Sequence, residues 1–315
     1  MTFLNMMDEL KYQQTKFQVN QKLQTLISNE GYILFEPSFF EDYEAFVLKN
    51  KRVKKERMIK MFDHDGKILV LRPDITTSLM RQIIPKWQDR SVLRIFYNST
   101  IFSRTAMGQI DTIRQFGVEL LGDGKKTADL EVLNLISKVL NLFNLDYVIE
   151  VSDTRFLEGV MSALELNDQE QSKFKDILYR KSTYDLNKFI ETKNLSKDTT
   201  MLLESLFSLQ GELSMIEDKL KSFALNEQSK LAFNALKERI NTLDDKKRYM
   251  VDLSLVSTYD YYDGILFKGY LKGSQKDVLS GGRYDPLTEN YGKKIPAIGF
   301  TLNTQEVIKE VLVYE

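Results

Sequence analysis

Strand-like segments of this chain lie on both sides of a long stretch that favours helices alone. From about Leu164 to Asn241, charged helical segments follow one another, proline is absent and strand signals are weak. Strand patterns return from Arg248 onward. We therefore interpret residues 1–163 and 244–315 as two parts of one core, and residues 164–243 as a helical insertion.

The first part of the core mixes strands and helices without strict alternation. Apolar and alternating patterns predict strands at 32–35, 67–72, 92–102, 114–121 and 147–151, with a polar loop at 103–111. They predict helices at 17–27 and 76–84, and a third helix that Thr127 would cap at its N-terminus. Later patterns predict strands at 249–256 and 264–271 and a last helix at 304–312. The predicted class is α+β, an antiparallel sheet flanked by helices.

Charge and residue usage argue against several kinds of site and partner. The 44 basic and 45 acidic residues give a net charge of -1, without the basic excess of a nucleic-acid binder, so we expect no tRNA partner. Cysteine is absent and the single histidine, His64, lies in a predicted turn, so we expect no metal site, no catalytic triad and no cofactor. Neither a signal peptide nor an apolar span occurs, so we expect a cytoplasmic protein without a membrane partner.

One predicted strand carries polar side chains on a single face. Because side chains alternate along a strand, Gln115, Gly117 and Glu119 share one face, while Phe116 and Val118 share the other. An amide and a carboxylate on either side of a glycine that leaves room would suit a small polar ligand with N–H groups. A solvated sheet face with a chance glutamine and glutamate is the alternative.

Two adjacent glycines, Gly281 and Gly282, follow an apolar strand and precede Arg283. They predict a tight turn, which would also allow a ligand to approach the backbone closely. As a phosphate-binding loop the segment is weak, because it lacks the Walker lysine pattern.

Six blocks between residues 30 and 303 resemble blocks of the histidyl-tRNA synthetase family, in the same order. Residues 71–77, Leu-Arg-Pro-Asp-Ile-Thr-Thr, resemble Leu-Arg-Pro-Glu-Gly-Thr, and residues 115–122 resemble Gln-x-Gly-x-Glu-x-x-Gly. Residues 255–262 resemble Leu-Val-Arg-Gly-Leu-Asp-Tyr-Tyr, and residues 280–287 resemble Ala-Gly-Gly-Arg-Tyr-Asp-x-Leu. Residues 31–37 and 296–300 resemble class II motif 1 and the start of motif 3.

The resemblance implies a class II aminoacyl-tRNA synthetase-like core with a histidine pocket. It also implies a homodimer through the motif 1 region. Asp74 stands where the family has glutamate, which shortens the side chain by one methylene group. By position, the implied contacts are Asp74, Thr76 and Gln115 for the amino group of histidine, and Glu119, Tyr262 and Tyr284 for its ring.

Three positions at which the family has arginines for ATP chemistry carry other residues here, namely Ser103, Ser257 and Glu306. Arg104 lies one place along and would substitute for the first only if the strand register slipped. Losing a single donor of this kind typically costs ~10²–10³-fold in rate. We therefore expect no adenylation, and the end of the chain near motif 3 leads us to expect no anticodon-binding domain.

A synthetase-like core with this pocket and without these arginines resembles the family of ATP phosphoribosyltransferase regulatory subunits. That resemblance implies a non-catalytic protein that binds and activates the short-form catalytic subunit of the first enzyme of histidine biosynthesis. It also implies a hetero-oligomer and feedback inhibition by histidine. A stand-alone histidine sensor and a synthetase-like amino-acid ligase stay open as alternatives, although the ligase would need the ATP-binding arginines.

Overall fold

The computed structural model describes residues 5–50, 53–257, 261–274 and 276–314. Residues 258–260 of the block at 255–262 thus lie outside the described residues. The helices are α1 (Met6–Asn29), α2 (Tyr43–Lys49), α3 (Ile75–Ile83), α4 (Lys126–Asn141), α5 (Thr154–Ser162), α6 (Asp168–Tyr179), α7 (Thr183–Glu191), α8 (Lys197–Ser205), α9 (Leu213–Leu220), α10 (Glu227–Thr242), α11 (Asp285–Glu289) and α12 (Thr304–Tyr314).

The strands are β1 (Ile33–Leu34), β2 (Phe40–Asp42), β3 (Lys60–Phe62), β4 (Ile68–Leu71), β5 (Leu93–Arg104), β6 (Ile110–Leu121), β7 (Tyr147–Asp153), β8 (Gln210–Gly211), β9 (Tyr249–Asp252), β10 (Ile265–Leu271), β11 (Leu279–Arg283) and β12 (Ala297–Asn303). The predicted class is confirmed, since most strand pairs are antiparallel and helices flank the sheets. Within the described ranges, no helix combines the length and apolar character needed to cross a membrane.

The chain divides into two compact units. Unit 1 comprises residues 1–124, 135–146 and 285–315. Its main strands run in the order β1-β5-β6-β12, with β1 parallel to β5 and the other pairs antiparallel. A small antiparallel sheet, β2-β4-β3, belongs to the same unit. The tip between β3 and β4 carries His64, whose side chain is 89% exposed, as the predicted turn requires.

Unit 2 comprises residues 125–134 and 147–284. Its strands run in the order β11-β10-β7-β9-β8, and only β7 and β9 are parallel. Residues 164–243 are mainly helical, as predicted, and they share this unit with the strands. The division of the chain into a two-part core and an insertion stays a prediction.

Several predicted boundaries were wrong, each for a local reason. Helix α1 begins earlier than residue 17, because the side chain of Asn5 caps it, and Phe17 is 67% exposed rather than part of the apolar stripe. The loop predicted at 103–111 is shorter, because the β5–β6 ladder continues to Arg104 and Ile110. Thr127 lies inside α4 and does not cap it.

Two further errors concern unit 2. Strand β9 ends at Asp252, whose carboxylate accepts the N–H of Ser254 and so turns the chain. Gly281 and Gly282 lie inside β11 instead of in a turn. A Cβ on Gly282 would lie 2.4 Å from the Ile265 carbonyl oxygen, so glycine serves the close approach of the neighbouring strand.

Candidate functional site

Three adjacent strands of unit 1 present one continuous face. In the ladders of β5, β6 and β12, Glu119 lies opposite Gly299, and Gly117 lies between Tyr97 and Thr301. Gln115 lies in line with Ser99 and Asn303. Because residues two apart on a strand share a face, Gln115, Gly117 and Glu119 do so as predicted.

Glu119 is a buried carboxylate and not part of a solvated sheet face. Its side chain is only 2% exposed, and its Oε1 accepts a hydrogen bond of 2.9 Å from the hydroxyl of Thr76. A Cβ on Gly299 would lie 2.0 Å from its other oxygen, so a glycine is required beside the carboxylate. Burial of a charge is costly unless it is hydrogen-bonded, which makes this carboxylate a specific feature of the face.

Asp74 caps the helix that carries Thr76. Its carboxylate accepts the backbone N–H of Thr77 at 3.1 Å, at the N-terminus of α3. It also accepts the hydroxyl of Thr77. The cap fixes Thr76 in the first turn of α3, where it reaches Glu119. A contact of Asp74 with an amino group stays a prediction.

The room that Gly117 was expected to leave is filled by Tyr97. A Cβ on Gly117 would lie 2.0 Å from the Tyr97 ring, and the Tyr97 hydroxyl lies 2.9 Å from the hydroxyl of Thr301. Complete burial, together with the negative charge of Glu119, holds the pKa of Tyr97 well above its usual range. Sequence reasoning missed this residue, because finding it requires the register that sets Tyr97 opposite the glycine.

Gln115 lies on the same face as Glu119 and Gly117. Its side chain is partly buried and forms no hydrogen bond with any other residue in the described part of the chain. The amide can both donate and accept hydrogen bonds. Unit 1 therefore brings together Thr76 and Glu119, and sets Gln115 on the same face.

Unit 2 holds the two remaining predicted residues, Tyr262 and Tyr284, on either side of a third tyrosine. The ring of Tyr261 lies 4.6 Å from that of Tyr262 and 5.8 Å from that of Tyr284, centroid to centroid. These distances fall in the range of favourable aromatic pairs. Tyr284 is buried, while Tyr262 is partly exposed.

A buried ion cluster lies directly before Tyr284 in the chain. Arg283 donates two hydrogen bonds to one oxygen of Asp129, at 3.0 and 2.6 Å. Arg239 donates to the other oxygen at 2.7 Å. The carboxylate is 1% exposed, and the charges compensate one another in a water-poor environment. The arginine of the Gly-Gly-Arg-Tyr block thus has a structural role in fixing the end of β11.

The three positions at which the resemblance predicts arginines, Ser103, Ser257 and Glu306, have distinct surroundings. Ser103 lies near the end of β5, where the ladder with β6 runs from Leu93 to Arg104 without a slip. Arg104 therefore faces away from the side of Ser103, and its guanidinium reaches the Gly108 carbonyl oxygen only at 3.4 Å. Glu306 pairs with Lys309 at 2.8 Å on α12. Ser257 lines a small cavity of unit 2.

Among the described residues, no cluster of three or more histidine, cysteine, aspartate or glutamate side chains could hold a metal ion.

Comparison with known proteins relates the chain to one family. The sequence profile of the histidyl-tRNA synthetase family matches residues 9–307. The ATP phosphoribosyltransferase regulatory subunit of Bacillus mycoides is 31% identical over 300 residues, which cover 93% of this chain and 71% of that protein. The corresponding subunit of Acetivibrio thermocellus is 32% identical over 300 residues, covering 93% of this chain and 72% of that protein.

Solved structures give the same relationship. A Bacillus halodurans protein, described as an ATP phosphoribosyltransferase regulatory subunit/histidyl-tRNA synthetase, superposes with a TM-score of 0.85 at 26% identity. The match covers 96% of this chain and 80% of that one. A histidine–tRNA ligase subunit of Alicyclobacillus acidocaldarius has a TM-score of 0.77 at 21% identity, covering 96% and 93% of the two chains, and so shares the fold.

Proposed function

The chain belongs to the histidyl-tRNA synthetase-like family that includes the ATP phosphoribosyltransferase regulatory subunits, and we propose that it activates a short-form ATP phosphoribosyltransferase and makes that enzyme sensitive to histidine. In this proposal it is the non-catalytic member of a hetero-oligomer. Its partners are the short catalytic subunit, a second copy of itself, and histidine as the effector.

The buried contact between Thr76 and Glu119 is the observation that supports a histidine effector best. A fixed carboxylate on a sheet face that also carries Gln115 suits a ligand with N–H groups. The imidazole ring would donate to Glu119, and Gln115 would contact the amino group. Contacts of Asp74, Tyr262 and Tyr284 with histidine rest on the family resemblance alone.

The residues at the ATP-chemistry positions support a regulatory role rather than a ligase. Ser103 lies on the same face of β5 as Ser99, and Arg104, the next residue in the sequence, lies on the other face. Glu306 reverses the charge and is held by Lys309. A triphosphate needs cations at such positions, and serine and glutamate supply none.

We expect purified protein to show no histidine-dependent exchange between ATP and pyrophosphate. The absence of one such arginine slows adenylate formation by ~10²–10³-fold. With three absent, the rate should fall below detection. The measurement is isotope exchange, with an active histidyl-tRNA synthetase as the positive control. Exchange at a synthetase-like rate would contradict the regulatory proposal and favour the ligase.

The edge strand β1 supports the proposed homodimer. Ile33 is 66% exposed and Leu34 is 52% exposed, on a strand that ends its sheet and pairs with β5 on one side. An unprotected apolar edge is a common site for pairing with another chain.

We expect a dimer in sedimentation velocity at micromolar concentration, and a shift to monomer on Ile33→Lys, because a charge would be buried without a partner. Val313→Lys, at a residue that is 78% exposed on α12, is the control and should stay dimeric. A monomeric wild-type protein, or a dimer unaffected by Ile33→Lys, would count against an interface on β1.

The Glu119→Gln variant tests the effector site. The amide keeps the shape and the acceptor for Thr76 but removes the charge, so a charge-assisted hydrogen bond of ~1.5–3 kcal/mol becomes an ordinary one. We expect histidine to inhibit the complex about tenfold to a hundredfold less strongly, since ~1.4 kcal/mol is tenfold. Activation without histidine should survive, because the fold and the outer surface are unchanged.

Histidine titrations compare two reconstituted complexes, one with the wild-type chain and one with Glu119→Gln. They measure both inhibition by histidine and activation without it. Glu44→Gln, on an exposed face of α2, is the matched control and should behave as wild type. Unchanged inhibition in Glu119→Gln would place the effector elsewhere. Loss of both activation and inhibition in Glu119→Gln would show that β6 supports the complex with the catalytic subunit itself.

A further inference from the structure

Unit 2 contains an open cleft that the proposed function does not use. It is lined by the start of α9, the end of α10, the first residues of β9 and a short 3-10 turn, Lys246–Arg248, that precedes β9. The cavity volume is about 520 Å³, which falls within the ~300–1,000 Å³ of small-molecule sites. The lining residues include none of the histidine contacts proposed above.

Buried side chains give this cleft an apolar floor. Ile240 and Tyr249 are each 2% exposed, and the Tyr249 hydroxyl donates to the Leu133 carbonyl oxygen at 2.6 Å. Because that hydroxyl already has an acceptor, the tyrosine offers its ring to the cleft rather than a polar group. Leu213 and Met250, both partly buried, add further apolar atoms to the lining. A floor of this kind suits a planar ring.

Two lysines with free ammonium groups line the same cleft. Lys246 and Lys247 are exposed, and neither forms a hydrogen bond or an ion pair with the described residues. The next residue, Arg248, is engaged elsewhere, since its guanidinium donates to the Tyr147 carbonyl oxygen at 3.2 Å and lies 4.8 Å from the centre of the Tyr147 ring. Two adjacent ammonium groups repel each other, and a phosphate group bound by both would remove that repulsion.

Two glutamates also line the cleft, and only one of them is neutralised. Glu217 forms an ion pair with Lys237 of α10. Glu212 precedes α9 without capping it, and its carboxylate forms no hydrogen bond or ion pair with the described residues. A free carboxylate would repel a simple polyanion, but it accepts hydrogen bonds from ribose hydroxyls in nucleotide sites. The amide of Asn241, another lining residue, can both donate and accept.

We propose that this cleft binds a nucleoside monophosphate. The phosphate lies on Lys246 and Lys247, the ribose hydroxyls donate to Glu212, and the base packs on Ile240 and Tyr249. Inorganic phosphate would use the two lysines alone, and an unphosphorylated nucleoside would leave them without a partner. The site belongs to unit 2 alone and does not depend on the regulatory role proposed above.

Calorimetric titration of the full chain with AMP tests this site. A Kd of about 0.1 mM is expected for a ligand of this size. Adenosine and inorganic phosphate each supply part of the contacts, and each should bind at least ~10-fold more weakly than AMP. Absence of AMP binding, or binding of adenosine or phosphate as tight as that of AMP, overturns the proposal.

Variants at the charged residues separate this cleft from any other nucleotide site. The double variant Lys246→Gln with Lys247→Gln should weaken AMP binding by about tenfold or more, because the phosphate loses both counter-charges. Lys230→Gln is the matched control, since Lys230 is exposed on α10 and lies outside the cleft. AMP binding that is unchanged in the double variant places the nucleotide elsewhere and overturns the assignment.

The role of Glu212 has its own test. Glu212→Gln should weaken AMP binding by about fivefold, because a charge-assisted hydrogen bond becomes an ordinary one. The same variant should not weaken binding of 2′,3′-dideoxy-AMP, which lacks the hydroxyls that Glu212 would accept. Glu204→Gln, exposed on α8, is the matched control. Equal weakening of both nucleotides in Glu212→Gln contradicts the ribose contact.

Discussion

Asp129→Asn is expected to destabilise the protein by about 3–5 kcal/mol. The carboxylate is 1% exposed and accepts hydrogen bonds from Arg283 and Arg239, whose side chains are 11% and 14% exposed. Replacement by an amide removes the negative charge of Asp129 from beside two largely buried guanidinium groups, and breaking a buried ion network in this way costs ~3–5 kcal/mol. The amide nitrogen would also face an N–H donor.

Urea unfolding of wild type and variant measures this loss of stability. Asp185→Asn is the matched control in the same unit, because Asp185 pairs with Arg180 on the surface at 3.0 Å. A surface pair is worth ~0–1 kcal/mol, so the control should unfold nearly as wild type does. Similar small losses in both variants would contradict a structural role for the Asp129 cluster.

Arg72→Met is expected to lower the free energy of unfolding by about 4 kcal/mol. Arg72 is fully buried, and its guanidinium donates to the carbonyl oxygens of Pro37 at 2.6 Å, Ser38 at 3.1 Å and Thr100 at 2.9 Å. It also donates to the hydroxyl of Ser99 and lies 4.4 Å from the centre of the Phe39 ring. Each acceptor left unsatisfied in the interior costs ~1–3 kcal/mol.

The cost of burying the charge of Arg72 limits the loss of stability in Arg72→Met. Burial lowers the pKa of Arg72, which shows that the charge itself is unfavourable in this environment, and methionine removes that cost. Because four acceptors lose their donor, the cost of the lost hydrogen bonds exceeds the gain from removing the buried charge. Arg104→Met is the control, because Arg104 is exposed and makes one long contact, and it should change the unfolding free energy by less than ~0.5 kcal/mol. Equal stability of the two variants would show that Arg72 does not tie β4 to β5.

The fold class and the strand that carries Gln115 and Glu119 on one face could be predicted because they depend on patterns within short segments. Alternation alone puts Gln115 and Glu119 on one face, and the ladder with β12 confirms that face. The helices of 164–243 were predictable for the same reason, since the charged helical segments, the absence of proline and the weak strand signals are local features; the structure adds the caps Asn167 and Asn226.

The features that were missed depend on partners distant in the sequence. Tyr97 occupies the space beside Gly117 only because the two residues are paired across β5 and β6. Gly282 was assigned to a turn, although its small size serves the backbone of the strand that begins at Ile265. The partner of Arg283, Asp129, lies 154 residues away along the chain, so no local pattern could reveal it.

In the proposed function, the chain regulates a short-form ATP phosphoribosyltransferase without catalysing a reaction itself. The decisive measurement is turnover by that catalytic subunit alone, with this chain, and with this chain plus histidine. We expect higher turnover when the chain is added, suppression of that turnover by histidine, and no turnover by the chain alone. A catalytic subunit that is equally active with and without the chain would refute the proposed regulation.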